Sequence, residues 1–318
     1  MKKNVLLLET ITDEALAVLR DSANVFTGYD EASLKEVLGT EEIHAVIVRG
    51  KGQVNKALME SCPALQVAAR CGVGLDNVDV KEATARNIMV INAPGSNAAT
   101  IAEHTLSLML MLMRNMYVSV SQVKDGNWNW RNNYSGDELH GKTLGILGMG
   151  NIGKRVALLG EAFGMNVLYW SRSAQNMPYT FLSMEEVLQQ SDMVSLHLPF
   201  TSETGTIIQA PQLAMMKPGS FLINTARGAL IDHDALVDAL SEGRIAGFGA
   251  DVLPEEPPAA DSPVVHHPRA IITPHSGSLT ASTYRHMCLS TVKNVVAVLT
   301  GQKPEPKSIF NATGLSEA

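Results

Sequence analysis

The chain has 318 residues, of which 45% are hydrophobic, so it can bury substantial cores and is long enough for two domains. Its net charge of −7, without any block of basic residues, argues against a nucleic-acid-binding surface. The three cysteines lie far apart and show neither metal-ligand spacing nor a disulfide framework, so we expect no metal and a reducing compartment. The apolar runs at residues 5–8 and 105–113 are too short for a signal peptide or a membrane span, which favours a cytoplasmic protein that does not enter membranes.

The first 92 residues alternate short apolar runs with amphipathic helical segments. The apolar runs fall at residues 5–8, 24–26, 45–48, 65–69 and 89–91. Five short strands alternating with helices predict a parallel sheet covered by helices on both faces. Ligands of such sheets bind at the carboxyl ends of strands, which makes Arg49, Arg70 and the glycine-rich residues 72–74 candidates for holding a substrate. The alternative for the two arginines is that they are solvated charges at strand ends.

Residues 98–122 are predicted to form one long helix whose apolar residues nearly encircle it. A helix that is apolar on all sides is buried between domains or between subunits. We therefore expect this helix to bridge two domains and to contribute the surface of a homodimer. The aromatic and polar run at residues 128–134 is predicted to be a loop, with structural packing favoured over stacking on a ligand.

Residues 143–172 have the pattern of strand, turn, helix and strand. Three glycines in the spacing GxGxxG, Gly148, Gly150 and Gly153, follow the first apolar run. The first glycine permits a tight turn, the second lets the backbone approach a pyrophosphate, and the third lets helix and strand pack closely. An ordinary glycine-rich turn is the alternative. Because the motif stands between two predicted strands, it favours a dinucleotide-binding site.

The end of the second of these strands determines which dinucleotide we expect. An Asp or Glu about 20 residues after the glycines binds the ribose 2′-hydroxyl of NAD, but Ser171 and Arg172 occupy that place here. A hydroxyl beside a guanidinium can bind a 2′-phosphate through charge-assisted hydrogen bonds, whereas a carboxylate would repel it. NADP is therefore favoured over NAD as the cofactor. The alternative is that Arg172 only points into solvent.

The remaining sequence continues the alternation of strands and helices. Apolar runs at residues 193–198, 221–224, 245–252 and 270–273 alternate with helical segments, which predicts a doubly wound sheet of six or more strands. A last helical pattern at residues 279–299 can return the chain to its first domain. We therefore predict an α/β protein with two doubly wound parallel-sheet domains. The first comprises residues 1–97 and 286–318 and binds the substrate, and the second comprises residues 98–285 and binds the dinucleotide.

Three ionisable residues, Arg227, Glu256 and His275, each follow a predicted strand of the second domain. Carboxyl ends of parallel strands share one edge, so these side chains can converge. Histidine exchanges a proton near neutral pH, a carboxylate can fix its tautomer, and arginine can hold a carboxylate bidentately. Taken singly, the three would be a surface charge, a loop acid and a loop histidine.

Several motifs resemble the D-isomer-specific 2-hydroxyacid dehydrogenase family, in the right order and across essentially the whole chain. Besides the glycine turn they are NTARGALID at residues 224–232, DVLPEEP at 251–257, TPHSG at 273–277 and LHLP at 196–199. The resemblance implies a flavodoxin-like substrate domain and a Rossmann dinucleotide-binding domain. It also implies that Arg227 binds the substrate carboxylate and carbonyl, that His275 is the acid/base, and that Glu256 rather than Glu255 orients it.

The glycine turn, the strand ends and the resemblance together give the rest of the expected site. The residues expected to bind the cofactor are Gly148, Gly150, Asn151, Ile152, Gly153, Ser171, Arg172 and Asp251, of which Asp251 would contact the nicotinamide carboxamide. The residues expected to bind the substrate are Arg49, Val73, Gly74 and Arg227.

The reaction implied is hydride transfer between the nicotinamide and a small anionic D-2-hydroxy or 2-keto acid of the phosphoglycerate or hydroxypyruvate type. Residues 69–79 resemble the phosphoglycerate dehydrogenase branch, whereas residues 170–172 resemble the NADP-using glyoxylate and hydroxypyruvate reductases, so the acid stays open. Formate oxidation is a weaker option within the same fold. From a different class, a dinucleotide-sensing protein of the corepressor type remains an alternative, because such proteins retain Arg227, Glu256 and His275.

Overall fold

The structure is a computed structural model that describes residues 2–315. Its strands are β1 (Lys3–Leu7), β2 (Ala23–Thr27), β3 (Ala45–Val48), β4 (Val67–Arg70), β5 (Met89–Ile91), β6 (Thr143–Leu147), β7 (Asn166–Trp170), β8 (Thr180–Phe181), β9 (Met193–Leu196), β10 (Phe221–Asn224), β11 (Gly247–Ala250) and β12 (Ala270–Ile272). Its α-helices are α1 (Asp13–Ser22), α2 (Glu31–Thr40), α3 (Lys56–Glu60), α4 (Val80–Ala85), α5 (Ala98–Met113), α6 (Met116–Lys124), α7 (Asn151–Ala162), α8 (Met184–Gln190), α9 (Ala210–Met215), α10 (His233–Ser241), α11 (Pro263–His266) and α12 (Ala281–Leu299). Short 3₁₀ helices lie at Trp128–Asn133, Gly228–Leu230, Pro306–Ser308 and Ala312–Gly314.

The chain divides into two compact units. The N-terminal unit comprises the residues up to Asn97 and those from Leu279 onward, and the central unit is Ala98–Ser278. The second change of unit thus falls after Ser278, whereas the sequence placed it after residue 285. The reason is that helix α12 begins at Ala281, capped by Thr280, and the whole helix belongs to the N-terminal unit.

The N-terminal unit is built on a five-stranded parallel sheet in the order β2-β1-β3-β4-β5. This is the flavodoxin-like strand order. All four residues of β3 are buried, as expected for a central parallel strand covered on both faces. On one face α12 packs with α1 over the sheet, and Val292 and Val295 join Leu19 in a single apolar core.

The central unit is built on a seven-stranded parallel sheet in the order β12-β11-β10-β9-β6-β7-β8. Strand order reverses between β6 and β9, which is where doubly wound sheets bind nucleotides. The predicted α/β class with two parallel sheets is confirmed. The two-residue strand β8 was not predicted, because both of its residues are exposed and show no apolar pattern.

The long helix predicted at residues 98–122 is wrong: the structure has two helices, α5 and α6. They are separated at Asn115, which adopts a left-handed conformation with φ 45°, as asparagine tolerates better than most residues. The turn is supported by the Tyr134 hydroxyl, which donates to the Arg114 carbonyl at 2.8 Å. The two halves also differ in burial, since half of α5 is buried and no residue of α6 is.

The aromatic run at residues 128–134 is a 3₁₀ helix over most of its length rather than a loop. Trp130 and Tyr134 meet edge to face at 5.9 Å, which agrees with structural packing, whereas Trp128 is 65% exposed. Among residues 2–315, no helix has both the length and the apolar character that a membrane crossing requires.

Candidate active site

His275 and Glu256 meet at the carboxyl edge of the central sheet. His275 lies three residues beyond β12, and its Nδ1 is 2.6 Å from Glu256 Oε2. The other carboxylate oxygen of Glu256 accepts the backbone N–H of Leu253 at 2.9 Å, which fixes the carboxylate. Within residues 2–315, Nε2 of His275 makes no hydrogen bond, and the side chain is 50% exposed. The geometry therefore leaves one imidazole nitrogen oriented by a carboxylate and the other open to a ligand.

Asp251 lies beneath the loop that carries His275. Its side chain is 2% exposed. Oδ1 accepts the backbone N–H of Ser276 at 2.9 Å and the Thr273 hydroxyl at 2.5 Å, and Oδ2 accepts the N–H of Gly277 at 2.8 Å. The carboxylate thus anchors the residues on both sides of His275. Its contact with the nicotinamide stays a prediction.

Helix α5 contributes a residue that sequence reasoning missed. His104 Nε2 is 2.9 Å from the Thr273 hydroxyl and 3.5 Å from Asp251 Oδ1. The only signal in the sequence was a histidine on a largely apolar helix, and 169 residues separate it from Thr273.

The turn that carries Arg227 is held by Asn224, the last residue of β10. Asn224 is fully buried; its Oδ1 accepts the N–H of Ala226 at 3.0 Å and its Nδ2 donates to the Arg227 carbonyl at 2.9 Å. Gly228 has no room for a side chain, because an added Cβ would lie 2.0 Å from the Leu253 carbonyl carbon. This close approach packs the Arg227 turn against the segment that leads to Glu256, as convergence at one sheet edge predicts.

The glycine turn has the space and the donors that a pyrophosphate needs. Gly148 has φ 106°, and a Cβ there would lie 2.5 Å from the His197 carbonyl oxygen; a Cβ on Gly153 would lie 2.1 Å from the Gly148 oxygen. By contrast, apart from its two neighbours in the chain, no atom of residues 2–315 lies within 4 Å of a Cβ built on Gly150, so the backbone there is open. Gly150 is the N-cap residue of α7 and offers no side chain to cap the first turn.

Three donors at the start of α7 complete this arrangement. Within residues 2–315, the backbone N–H groups of Asn151, Ile152 and Gly153 donate to no acceptor. Such groups at a helix N-terminus attract anions. Behind the turn, burial lowers the pKa of His197 to about 3, so this histidine is neutral and adds no charge. The turn fits the phosphates of a dinucleotide.

Ser171 and Arg172 follow β7 at the surface. The Ser171 hydroxyl donates to the Ser173 carbonyl at 2.6 Å. Arg172 is 88% exposed, and its Nη1 lies 3.9 Å from Glu203, which is itself 84% exposed. Arg172 is therefore a surface cation in a loose ion pair.

In the N-terminal unit Arg49 is already engaged by a residue that sequence reasoning missed. Its guanidinium binds Glu9 Oε1 and lies 5.0 Å from the centre of the Tyr284 ring. Glu9 Oε2 accepts the backbone N–H groups of Gly50 at 2.6 Å and Lys51 at 2.7 Å. Burial alone would raise the pKa of Glu9, but these hydrogen bonds and the Arg49 charge lower it below the usual range. Arg49 is thus not a solvated charge at a strand end, and its positive charge is balanced by Glu9.

Val73 and Gly74 present backbone donors in the loop after β4. The loop is fixed by Asn92, which donates to the Val73 carbonyl at 2.6 Å, and by the Ala93 N–H, which donates to the Gly72 carbonyl at 2.9 Å. In the part of the chain that the structure describes, the N–H groups of Val73 and Gly74 donate to no acceptor. Arg70 is held by the Arg49 carbonyl at 2.7 Å and by Asp76 at 3.7 Å.

Comparison with known proteins extends these observations. The family described as "D-isomer specific 2-hydroxyacid dehydrogenase, NAD binding domain" matches residues 106–277. The chain is 36% identical to a glyoxylate reductase of Aeropyrum pernix, with 95% of both chains covered. It is also 36% identical to a D-3-phosphoglycerate dehydrogenase of Mycobacterium bovis, over 94% of this chain but 57% of that protein, so it spans little more than half the length of such relatives.

Among solved structures, the TT0316 protein of Thermus thermophilus superimposes with a TM-score of 0.89 at 38% identity, over 95% of this chain and 98% of that one. This chain belongs to the D-isomer specific 2-hydroxyacid dehydrogenase family.

Proposed function

We propose that the protein is an NAD(P)-dependent oxidoreductase acting on a small anionic D-2-hydroxy or 2-keto acid. The observation that carries this proposal is the His275–Glu256 pair, in which Glu256 fixes Nδ1 and leaves Nε2 open. The names of the relatives, glyoxylate reductase and D-3-phosphoglycerate dehydrogenase, support the same reaction class. The corepressor alternative gains no support from these relatives.

The cofactor is held, in this proposal, by the glycine turn and the start of α7. The pyrophosphate would accept hydrogen bonds from the N–H groups of Asn151, Ile152 and Gly153, and Gly150 leaves the backbone accessible. When bound, the nicotinamide supplies the hydride for reduction of a keto acid and accepts it in the reverse direction.

His275 handles the proton. In reduction its imidazolium donates the Nε2 proton to the substrate oxygen as negative charge develops there, and in oxidation the neutral ring takes that proton back. Glu256 accepts a hydrogen bond from Nδ1–H of His275, which holds the ring in its orientation, and its negative charge stabilises the imidazolium that donates the proton. Arg227 binds the substrate carboxylate and stabilises the charge on the reacting oxygen. In the N-terminal unit, the N–H groups of Val73 and Gly74 are our proposed carboxylate donors, and Arg49 of the same unit remains a proposed substrate contact.

The substrate test is a panel of initial rates. Glyoxylate, hydroxypyruvate, pyruvate, 3-phosphohydroxypyruvate and 3-sulfopyruvate are each supplied with NADH and with NADPH at matched concentrations. We expect fast turnover of at least one acid and a loss of about a thousandfold or more in His275→Ala, with dinucleotide affinity retained. Tight dinucleotide binding without turnover of any acid would overturn the dehydrogenase proposal and favour a sensor.

We propose NADP as the preferred cofactor, because no carboxylate follows β7 and Arg172 is an accessible cation there. Ser171→Asp would place a negative charge beside the 2′-phosphate and lower kcat/KM for NADPH relative to NADH by about tenfold or more. Ser173→Asp, which adds the same charge two residues later, is the matched control. An unchanged cofactor ratio in Ser171→Asp would contradict the assignment.

We also propose that the protein is a homodimer that uses α6. This helix exposes Tyr117 at 66%, Val120 at 53%, Val123 at 53% and Met116 at 48%, an apolar surface that a second copy would cover. Light scattering should give twice the chain mass, and Val120→Glu should shift it toward the monomer. A wild-type monomer at micromolar concentration would contradict the proposal. The cytoplasmic location expected from the sequence stays a prediction.

A further inference from the structure

The loop that carries His275 needs external support to keep its shape. His275 has φ 51°, a left-handed conformation that non-glycine residues adopt at an energetic cost. Within the described residues its own backbone N–H bonds only to the Thr273 carbonyl, two residues earlier, and its side chain is 50% exposed. Besides the hydrogen bond from Nδ1 to Glu256, the orientation of the imidazole therefore depends on what anchors the residues around it.

The anchor is Asp251, which accepts three hydrogen bonds from this loop. Two of them come from the backbone N–H groups of Ser276 and Gly277, directly after His275, and one comes from the Thr273 hydroxyl. A carboxylate that is 2% exposed is costly unless its acceptor sites are filled. The position of Asp251 is thus coupled to the network that satisfies it.

His104 on α5 completes that network. The Thr273 hydroxyl has one proton, and its shortest contact, 2.5 Å, is to Asp251 Oδ1, so the proton lies on that hydrogen bond. The Thr273 oxygen then accepts from His104 Nε2 at 2.9 Å, which makes His104 a donor at Nε2. The ring also packs against the loop, since a Cβ on Gly277 would lie 3.2 Å from it.

We propose that His104 is a positioning residue for His275. It acts through Thr273 and Asp251: its Nε2–H directs the Thr273 hydroxyl to the carboxylate, and the carboxylate holds the two residues that follow His275. This inference rests on the proposed acid/base role of His275 and adds a residue on a different element that sets its orientation.

The test compares two replacements of His104. His104→Leu keeps a similar volume and removes the donor, whereas His104→Gln keeps an N–H donor on a side chain of similar reach. Ser107→Ala, on the exposed side of the same helix, is the control. We expect His104→Leu to lower kcat for keto-acid reduction about tenfold with the KM for the dinucleotide unchanged, and His104→Gln to stay within about threefold of wild type.

A second readout does not depend on turnover. Amide hydrogen exchange at Ser276 and Gly277 should accelerate about tenfold in His104→Leu and remain near wild type in His104→Gln and Ser107→Ala. Thr273→Val, which removes the intermediate hydroxyl, should reproduce both effects of His104→Leu. If the leucine variant does not fold, His104→Phe, which also lacks the Nε2–H donor, takes its place in the comparison with His104→Gln. If wild type turns over no acid, the proposed function fails, while the exchange data still decide the anchoring.

Two results would overturn the inference. One is wild-type kcat and wild-type amide exchange in both His104→Leu and Thr273→Val. The other is equal loss in the leucine and glutamine variants, which would mean that the ring acts by packing and not by its hydrogen bond.

Discussion

Two carboxylates that each follow a strand, Glu9 paired with Arg49 and Glu256 paired with His275, differ in how far the pair is exposed to solvent. In Glu9–Arg49 the acid is 10% exposed and accepts hydrogen bonds from donors of one loop, namely the Arg49 guanidinium and the N–H groups of Gly50 and Lys51. In Glu256–His275 the side chains are 36% and 50% exposed, and Nε2 of the imidazole makes no hydrogen bond within residues 2–315. The first, closed pair holds a loop through nearly buried hydrogen bonds, and the second, open pair leaves one imidazole nitrogen open, as the acid/base role that we propose for His275 requires.

The largest effect should come from the open pair. Glu256→Gln removes the negative charge that stabilises the imidazolium, so we expect kcat for reduction to fall about a hundredfold. The melting temperature should change little, because both side chains of the pair are partly exposed to solvent. Steady-state kinetics and thermal unfolding of the same sample measure both quantities.

Glu255→Gln is the matched control for this change. Glu255 is the adjacent acid, it is exposed, and the structure gives it no hydrogen bond to His275. Its kcat should stay within about twofold of wild type. Equal kcat losses in the two variants would mean that the charge of the loop matters and not the Glu256–His275 hydrogen bond.

The closed pair should show the opposite pattern, with the effect on stability. Glu9→Gln replaces one of the two accepting oxygens with an NH₂ group, which faces other donors, and it leaves Arg49 without its counter-charge. We expect the free energy of unfolding to fall by about 2 kcal/mol. Urea unfolding measures this loss. Glu14→Gln is the control, because Glu14 also pairs with an arginine of the same unit, Arg285, but at 48% exposure. It should cost less than about 1 kcal/mol, and equal losses would contradict the contrast.

This contrast also explains what the sequence could predict. The strands and the glycine turn have local sequence patterns, so both parallel sheets and the accessible backbone at Gly150 could be predicted from the sequence. The partners of the ionic groups are not local: Glu9 reaches Arg49 across 40 residues, and His104 reaches Thr273 across 169. The alternation of strands and helices predicts that Glu256 and His275 lie at the same edge of the sheet. That the charge of Arg49 is neutralised by Glu9 is visible only in the folded structure. The break at Asn115 was missed because apolar residues continue through α6, where they are exposed rather than buried.

The smallest expected effect is the acid dependence of the closed pair. Because hydrogen bonds and Arg49 hold the pKa of Glu9 below its usual range, its contribution to stability is fully present above the unfolded-state pKa, about 4.3, and is lost as the pH falls through the lowered folded value. The unfolding free energies of wild type and Glu9→Gln should therefore differ most near pH 7 and converge toward pH 3. Urea titrations at both pH values measure the difference. A constant difference would mean that Glu9 stabilises the loop by its shape and not by its charge.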